Sequence, residues 1–365
     1  MLFYIWLPLI FLLGAVVGSY LNVCISRLPL EKSILWPLGS RCGNCFQPIH
    51  WYDNLPLVSY WLLRGRCRTC KTPFSIRYFF VELLTAAGFA GLFFLEIRLN
   101  VHNFDVLDPA KQGPQILWGV IPWQGWVVFG HHAILFSFLV VASFCDLDRR
   151  EIPLSVTAPG TVIGLLSSVL WAWPWPYTPA EAMQGMPPNQ PWAMLLPGLG
   201  PKMGLYPWPA WGPLPDWMQP GGNWQTGLAT GVAGLLVGTM LLRAVGFLFE
   251  KGLGKEALGL GDADLMMMAG SFLGWQPVAV AFFLGTFPAL FFGLGQLVFR
   301  RENSLPFGPG LAIGVVMTWL GWRWIGPHVQ MLFFTGWFVG LVACVGAVFM
   351  LASSYFFRLI RVMRS

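Results

Sequence analysis

Long apolar runs set the rhythm of this chain. They lie near 2–25, 78–97, 126–145, 153–173, 225–249, 262–276, 278–299, 306–326 and 329–356, and several contain no basic residue. A helix of about 20 apolar residues crosses roughly 30 Å of hydrocarbon, so the pattern predicts an all-α polytopic membrane protein of about eight or nine transmembrane helices. The run from Asp262 is short, and either merges with its neighbour or re-enters beside it. The first run lacks the basic flank of a secretory signal and leads straight into Asn22, Arg27 and Pro29, so it is read as a retained helix.

Three segments break the rhythm. Residues 26–77 hold four of the seven cysteines and eight basic residues, as a small folded module would. Residues 98–125 and 174–224 read as loops on the other side of the membrane. The second is dominated by Pro, Trp, Gly and Met; its prolines deny a helix amide donors, and its tryptophans suit the headgroup layer. It is read as an interfacial loop, with a substrate or partner role as the alternative. The expected organisation is a first helix at 1–25, the module at 26–77, and a membrane-embedded domain at 78–365 carrying both loops as insertions. No internal repeat stands out.

Composition agrees with this reading. The chain is 56% hydrophobic and 10% charged, against about 25% charged in soluble proteins, with mean hydropathy +0.62. Basic residues collect in cytoplasmic loops. With 26–77 cytoplasmic, nine spans place 18 of the 22 Lys and Arg on that side, leaving Arg98, Lys111, Lys202 and Arg323 outside. The net charge of +6 thus follows from topology and makes no case for nucleic acid.

The cysteines of the module fall as Cys42 and Cys45, then Cys67 and Cys70. Two C-x-x-C knuckles complete a tetrahedral four-sulfur zinc site with no open position, a structural role. The competing reading is two reduced or disulfide-linked pairs, which a cytoplasmic location disfavours. Cys24, Cys145 and Cys344 lie in or beside spans and are read as packing residues.

Aspartates beside apolar runs need explaining, because a carboxylate at the edge of hydrocarbon is costly unless it works or is paired. Asp146 ends one run and Asp262 opens another, both on the cytoplasmic side; a solvated turn and a helix cap are their plainer readings. Positions two apart on a helix face nearly opposite ways, so Asp148 and Asp264 are assigned supporting places. Gly259 and Gly261 precede Asp262 and permit unusual backbone angles and close approach of a substrate in extended form. Two carboxylates at close range share a proton, which supplies the base and the acid that peptide hydrolysis needs. His131 and His132, near the opposite face, are read as interfacial.

Together these residues resemble the type IV prepilin leader peptidases, often bifunctional as N-methyltransferases. GAVVGSYLNVCISRLP at 14–29, WYDNLPLVSYWLLRGRCRTC at 51–70, RYFFVELLTA at 77–86 and LPFGPGLAIG at 305–314 are similar to family segments. Gly259, Gly261 and Asp262 match its G-x-G-D motif, and Asp146, six residues before Ile152 and Pro153, matches its first catalytic aspartate. The resemblance implies cleavage of prepilins or pseudopilins after the glycine ending a basic leader, and methylation of the new N-terminus from S-adenosylmethionine. It also implies a bacterial inner-membrane location. Asp264 departs from the family, which carries a non-acidic residue there; an acid beside the pair predicts higher carboxylate pKa values. Presenilin-like G-x-G-D proteases are the nearest alternative, although those place Tyr where Cys145 stands. An ion-coupled transporter with a regulatory zinc module is an alternative of another class.

Overall fold

The computed structural model describes residues 2–34, 39–170, Trp208, 224–254, 259–300 and 306–364. They are almost entirely helical, and among them the only β pairings are two isolated bridges, Arg41 with Pro48 and Arg66 with Pro73. The long helices are α1 Phe3–Arg27, α3 Arg77–Phe93, α5 Trp123–Arg149, α6 Leu154–Leu170, α7 Trp224–Leu253, α8 Leu260–Leu273, α9 Trp275–Arg300, α10 Gly308–Phe334 and α11 Gly336–Arg364. Short helices α2 Val58–Leu62 and α4 Pro109–Leu117 lie between α1 and α3 and between α3 and α5. The second puts a helix where the sequence suggested only a loop.

Every expected span falls on a helix, and among the described residues six helices are long and apolar enough to cross a membrane. The 17-residue α6 and 14-residue α8 are shorter than the roughly 20 residues a crossing takes. Two breaks between helices moved. Pro327 lies inside α10, so the break expected there falls at Thr335 instead; tight packing in an apolar medium tolerates a proline within a spanning helix. Between α8 and α9 the break is Gly274, at φ 84°, a left-handed conformation that a side chain would oppose. Its N–H bonds the Gly270 carbonyl at 2.8 Å and closes α8.

The chain divides into two compact units, Met1–Val156 and Thr157–Ser365. In the first, α1 packs along α3, and α5 packs on both. Lipid tails are as apolar as side chains, so helices in a membrane associate by close van der Waals approach, which small residues permit. Gly14 and Gly18 do this on α1: a Cβ would lie 2.8 Å from Ala86 Cα at the first and 2.8 Å from Glu82 Cα at the second. In the second unit α7 meets α8 backbone to backbone, a Cβ at Gly234 falling 2.0 Å from the Gly270 carbonyl oxygen.

Two sequence expectations change. His131 and His132 are buried rather than interfacial, because α5 begins at Trp123 and carries them more than two turns inward, against the far end of α3. Cys344 is exposed on α11 and does not pack within the chain, whereas Cys24 and Cys145 are buried. The Pro- and Trp-rich segment at 174–224 lies outside the described residues except at Trp208 and Trp224.

Gly234→Val should destabilise the protein by about 1–3 kcal/mol or more, the cost of over-packing a close contact. The same change at the open position Gly295, where an added Cβ meets nothing within 4 Å, should be near neutral. Melting temperatures of the two variants in detergent check this.

Candidate functional site

The cysteine module is built twice from one pattern. R-C-x-x-C-x-x-P occurs at Arg41–Pro48 and again at Arg66–Pro73, a repeat that the sequence reading missed. Both copies fold alike. The Cys42 N–H bonds the Gln47 carbonyl at 3.0 Å and the Phe46 N–H returns to the Cys42 carbonyl at 3.0 Å; in the second copy Cys67 bonds Thr72 at 2.9 Å and Lys71 returns to Cys67 at 3.1 Å. Phe46 and Lys71, each just after the second cysteine, share φ 58°. Each arginine pairs with its proline in a bridge.

The two knuckles face each other. All four sulfurs lie within 4.8 Å of one another, with Cys42 Sγ 3.6 Å from Cys70 Sγ. A Zn–S bond of about 2.3 Å in tetrahedral geometry separates sulfurs by about 3.8 Å, so the set fits a metal ion of that kind. Acidity within the cluster is uneven. Cys70 is lowered to about 5, first by the Thr72 hydroxyl and then by the Thr72 N–H; that hydroxyl, 3.2 Å from the sulfur, accepts from Asn44 Nδ2 at 2.9 Å and keeps its proton for the thiolate. At Cys45 a bond from the Gln47 N–H is outweighed by desolvation and by the neighbouring sulfurs, which push it up to about 11. The Cys70 thiolate forms readily, and Cys45 resists adding charge beside it. A divalent cation would relieve that conflict.

Three contacts brace the module and the helix pair beside it. Asp53, buried in a single helical turn at Trp51–Asp53, takes two bonds from Arg68, Nε at 2.6 Å and Nη2 at 2.5 Å. The guanidinium holds this carboxyl below its ordinary range. The Leu57 N–H bonds Glu82 Oε2 on α3 at 2.7 Å, and Asn22 Nδ2 on α1 bonds the Tyr78 carbonyl at 3.0 Å. Between module and helices lies a cavity of about 220 Å³, whose lining includes Asn22, Asp53, Asn54, Tyr60, Tyr78 and Glu82.

Asp146 is buried in the last turn of α5. Arg150, at φ 59°, ends that helix by returning its N–H to the Asp146 carbonyl at 2.8 Å. The helix continues regularly to Arg149, so Asp148 is carried round to the solvated side, where it pairs with Arg77. Asp262 lies in the first turn of α8, with Gly259 as the N-cap residue, so it is not itself the cap. Neither Gly259 nor Gly261 takes a positive φ; Gly259 is extended at φ −72°, ψ 148°. The unusual backbone angles expected there are not used. What the missing side chain leaves is room, since among the described residues a Cβ on Gly259 would meet only Asp262 Oδ2, at 3.7 Å. Asp264 stands 3.6 Å from Arg243 Nη2 on α7, a cation that offsets its charge and weakens the expected effect of an extra acid. Asp146 and Asp262 belong to different units, and each is described within its own.

Fold and site define a multi-pass helical membrane protein bearing a four-thiol module that could hold a metal ion. Residues 12–95 match the bacterial peptidase A24 N-terminal domain, and residues 218–294 match the type IV leader peptidase family. Both matched segments point to the type IV leader peptidase family. It is 29% identical over 316 residues to the prepilin leader peptidase/N-methyltransferase of Myxococcus xanthus, covering 85% of this chain and 70% of that one. The protein of the same description from Aeromonas hydrophila is 26% identical over 348 residues, 88% of this chain and 91% of the relative. No solved structure matches. The module and Asp262 fall within the matched segments, and Asp146 lies between them.

In metal-free protein at pH 7, iodoacetamide should alkylate Cys70 at least about tenfold faster than Cys45, since the thiolate is the nucleophile. Thr72→Val should slow Cys70 towards the rate of an ordinary thiol. Mass spectrometry of time-resolved digests reads both rates.

Proposed function

We propose that this protein is a prepilin peptidase and N-methyltransferase of the bacterial inner membrane. It cuts the basic leader from prepilins or pseudopilins after a glycine and methylates the new N-terminal residue. The observation that carries this reading is the presence in one chain of both matched segments, the first containing the four-thiol module and the second containing GLGD at the start of α8. The excess of Lys and Arg in 26–77 supports a cytoplasmic module, where a basic leader waits.

Asp262 and Asp146 are assigned as the catalytic pair. Asp262 lies in a first helical turn, where aligned peptide dipoles favour negative charge, and acts as the ionised base that takes a proton from water. Asp146 holds the proton, bonds the scissile carbonyl oxygen as water adds to carbon, and the departing amine is protonated as the C–N bond breaks. Asp148 and Asp264, each paired with an arginine, support the site from outside it. Gly259 and Gly261 leave room for an extended substrate beside Asp262.

Cys42, Cys45, Cys67 and Cys70 would hold zinc, and four thiolates leave it no open position, so its place is to fix the module. S-adenosylmethionine would supply an electrophilic methyl carbon. The cavity under the module suits such a ligand: Tyr60 and Tyr78 offer aromatic faces and Glu82 a carboxylate to a sulfonium cation, and Asn22 and Asn54 offer amide groups.

Incubation of the purified protein with a prepilin and labelled methyl donor tests this. Asp146→Asn or Asp262→Asn should lower cleavage by on the order of 10³ or more, within the span set by general acid–base catalysis and shared carboxylates. Asp148→Asn and Asp264→Asn should stay within about tenfold of wild type. Cys67→Ser should cleave without methylating. Cleavage that survives both Asp146→Asn and Asp262→Asn would remove the assignment.

A further inference from the structure

We propose that the first unit holds a second metal site, formed by Glu96, His102 and His132 at the far end of α3 from the cysteine module, and suited to zinc or a divalent ion of similar preference. Three separate segments supply the ligands. Glu96 lies in a π turn, Phe94–Arg98, that continues α3; His102 lies in the following loop; His132 projects from α5. Glu96 Oε1 is 2.7 Å from His132 Nδ1 and 3.3 Å from His102 Nε2, and one ligand atom from each residue lies within 4.8 Å of the other two. Zn–N and Zn–O bonds of about 2.0–2.2 Å put ligand atoms roughly 3–3.5 Å apart, close to the spacing found.

The ligand set is specific in kind. Two imidazoles and one carboxylate hold zinc in a three-ligand site and also suit other first-row divalent ions; they differ from the soft sulfur set of the module. The charge balance also asks for a cation. Glu96 is 1% exposed, and an isolated buried carboxylate is costly. Among the described residues its ion-pair partners are the two histidines and no Lys or Arg, while its Oε2 has no hydrogen-bond partner.

The surrounding chain holds the geometry in place. Asn100 brackets the loop, its Nδ2 donating to the Phe104 carbonyl and its Oδ1 accepting the Phe104 N–H, both at 2.9 Å. The Val101 N–H returns to the Leu95 carbonyl at 3.2 Å. Asn100 and Asn103 take φ 46° and 58°, bends that asparagine tolerates better than most residues. The His102 ring is thereby set 5.2 Å from that of His132. Such support of ligands by fixed neighbours characterises metal sites, and π turns recur at functional positions. Along α5, Asp146 stands fourteen residues further on, about 21 Å at 1.5 Å per residue, so this site is separate from the proposed peptidase chemistry. Its ion would clasp the end of α3, the loop and α5 together.

Full-length protein in detergent, loaded with Zn²⁺ and dialysed, should contain two equivalents by plasma mass spectrometry. The zinc-edge absorption spectrum should then average a sulfur shell with a nitrogen and oxygen shell. Glu96→Gln and His132→Gln should each drop the count to one and leave an all-sulfur spectrum. A wild-type count of one with only sulfur ligands would overturn the proposal and leave the cluster as a proton-sharing group; so would variants that keep two equivalents. One equivalent with only nitrogen and oxygen ligands would support this site and count instead against zinc in the thiol module. If the variants aggregate, the wild-type count and spectrum decide the matter alone.

Discussion

A polar group removed from water must find its partner within the chain, and in a protein with 10% charged residues that constraint organises nearly everything else. Backbone amides meet it by forming helices, the economical solution in hydrocarbon. Buried and half-buried carboxylates meet it pairwise: Asp53 with Arg68, Asp264 with Arg243, and Glu82 with the Leu57 amide. Because helices in lipid gain little from apolar contact as such, they are joined by close approach at Gly14, Gly18, Gly234 and Gly270. Their meeting faces are thus set by where side chains are absent.

The module depends on the same helices. It is inserted between α1 and α3, which pack along each other, and it is joined to α3 through the Leu57 amide and Glu82. A segment of this size buries little core, so its order comes from sulfur chemistry, from the Arg68 fork and from the helix pair on which it sits. The cavity lies at that junction, with lining residues from both the module and the helices. Module order and cavity shape are therefore coupled.

Legibility in the sequence followed the range of the interactions. Apolar runs are local, and each found its helix; Pro327 misled because packing, which a run does not reveal, can carry a helix through a proline. The C-x-x-C pairs were legible because four thiols at that spacing have few other uses, yet the longer R-C-x-x-C-x-x-P repeat escaped notice, being eight residues long and free of hydrophobic period. Helical phase separated Asp148 from Asp146 because α5 runs on unbroken to Arg149. The Arg243 partner of Asp264 was hidden, since it comes from another helix. His131 and His132 were misplaced for a related reason: on a helix apolar all round, sequence says how deep a residue lies but not what it faces. Glu96 and His102 gave no signal at all, because what joins them is a loop fold set by Asn100.

The π turn at Phe94–Arg98 has a consequence for how the chain tolerates change in length. A π turn amounts to one residue more than α geometry needs, and it shifts the angular phase of everything after it by about 100°. Glu96 lies inside that turn. The register of the helix is therefore a discrete variable: loss of one residue between α3 and Glu96 would rotate its carboxylate about the helix axis by about 100°. Substitutions nearby would leave the phase alone. Length, as well as residue identity, is what this corner of the molecule has to preserve.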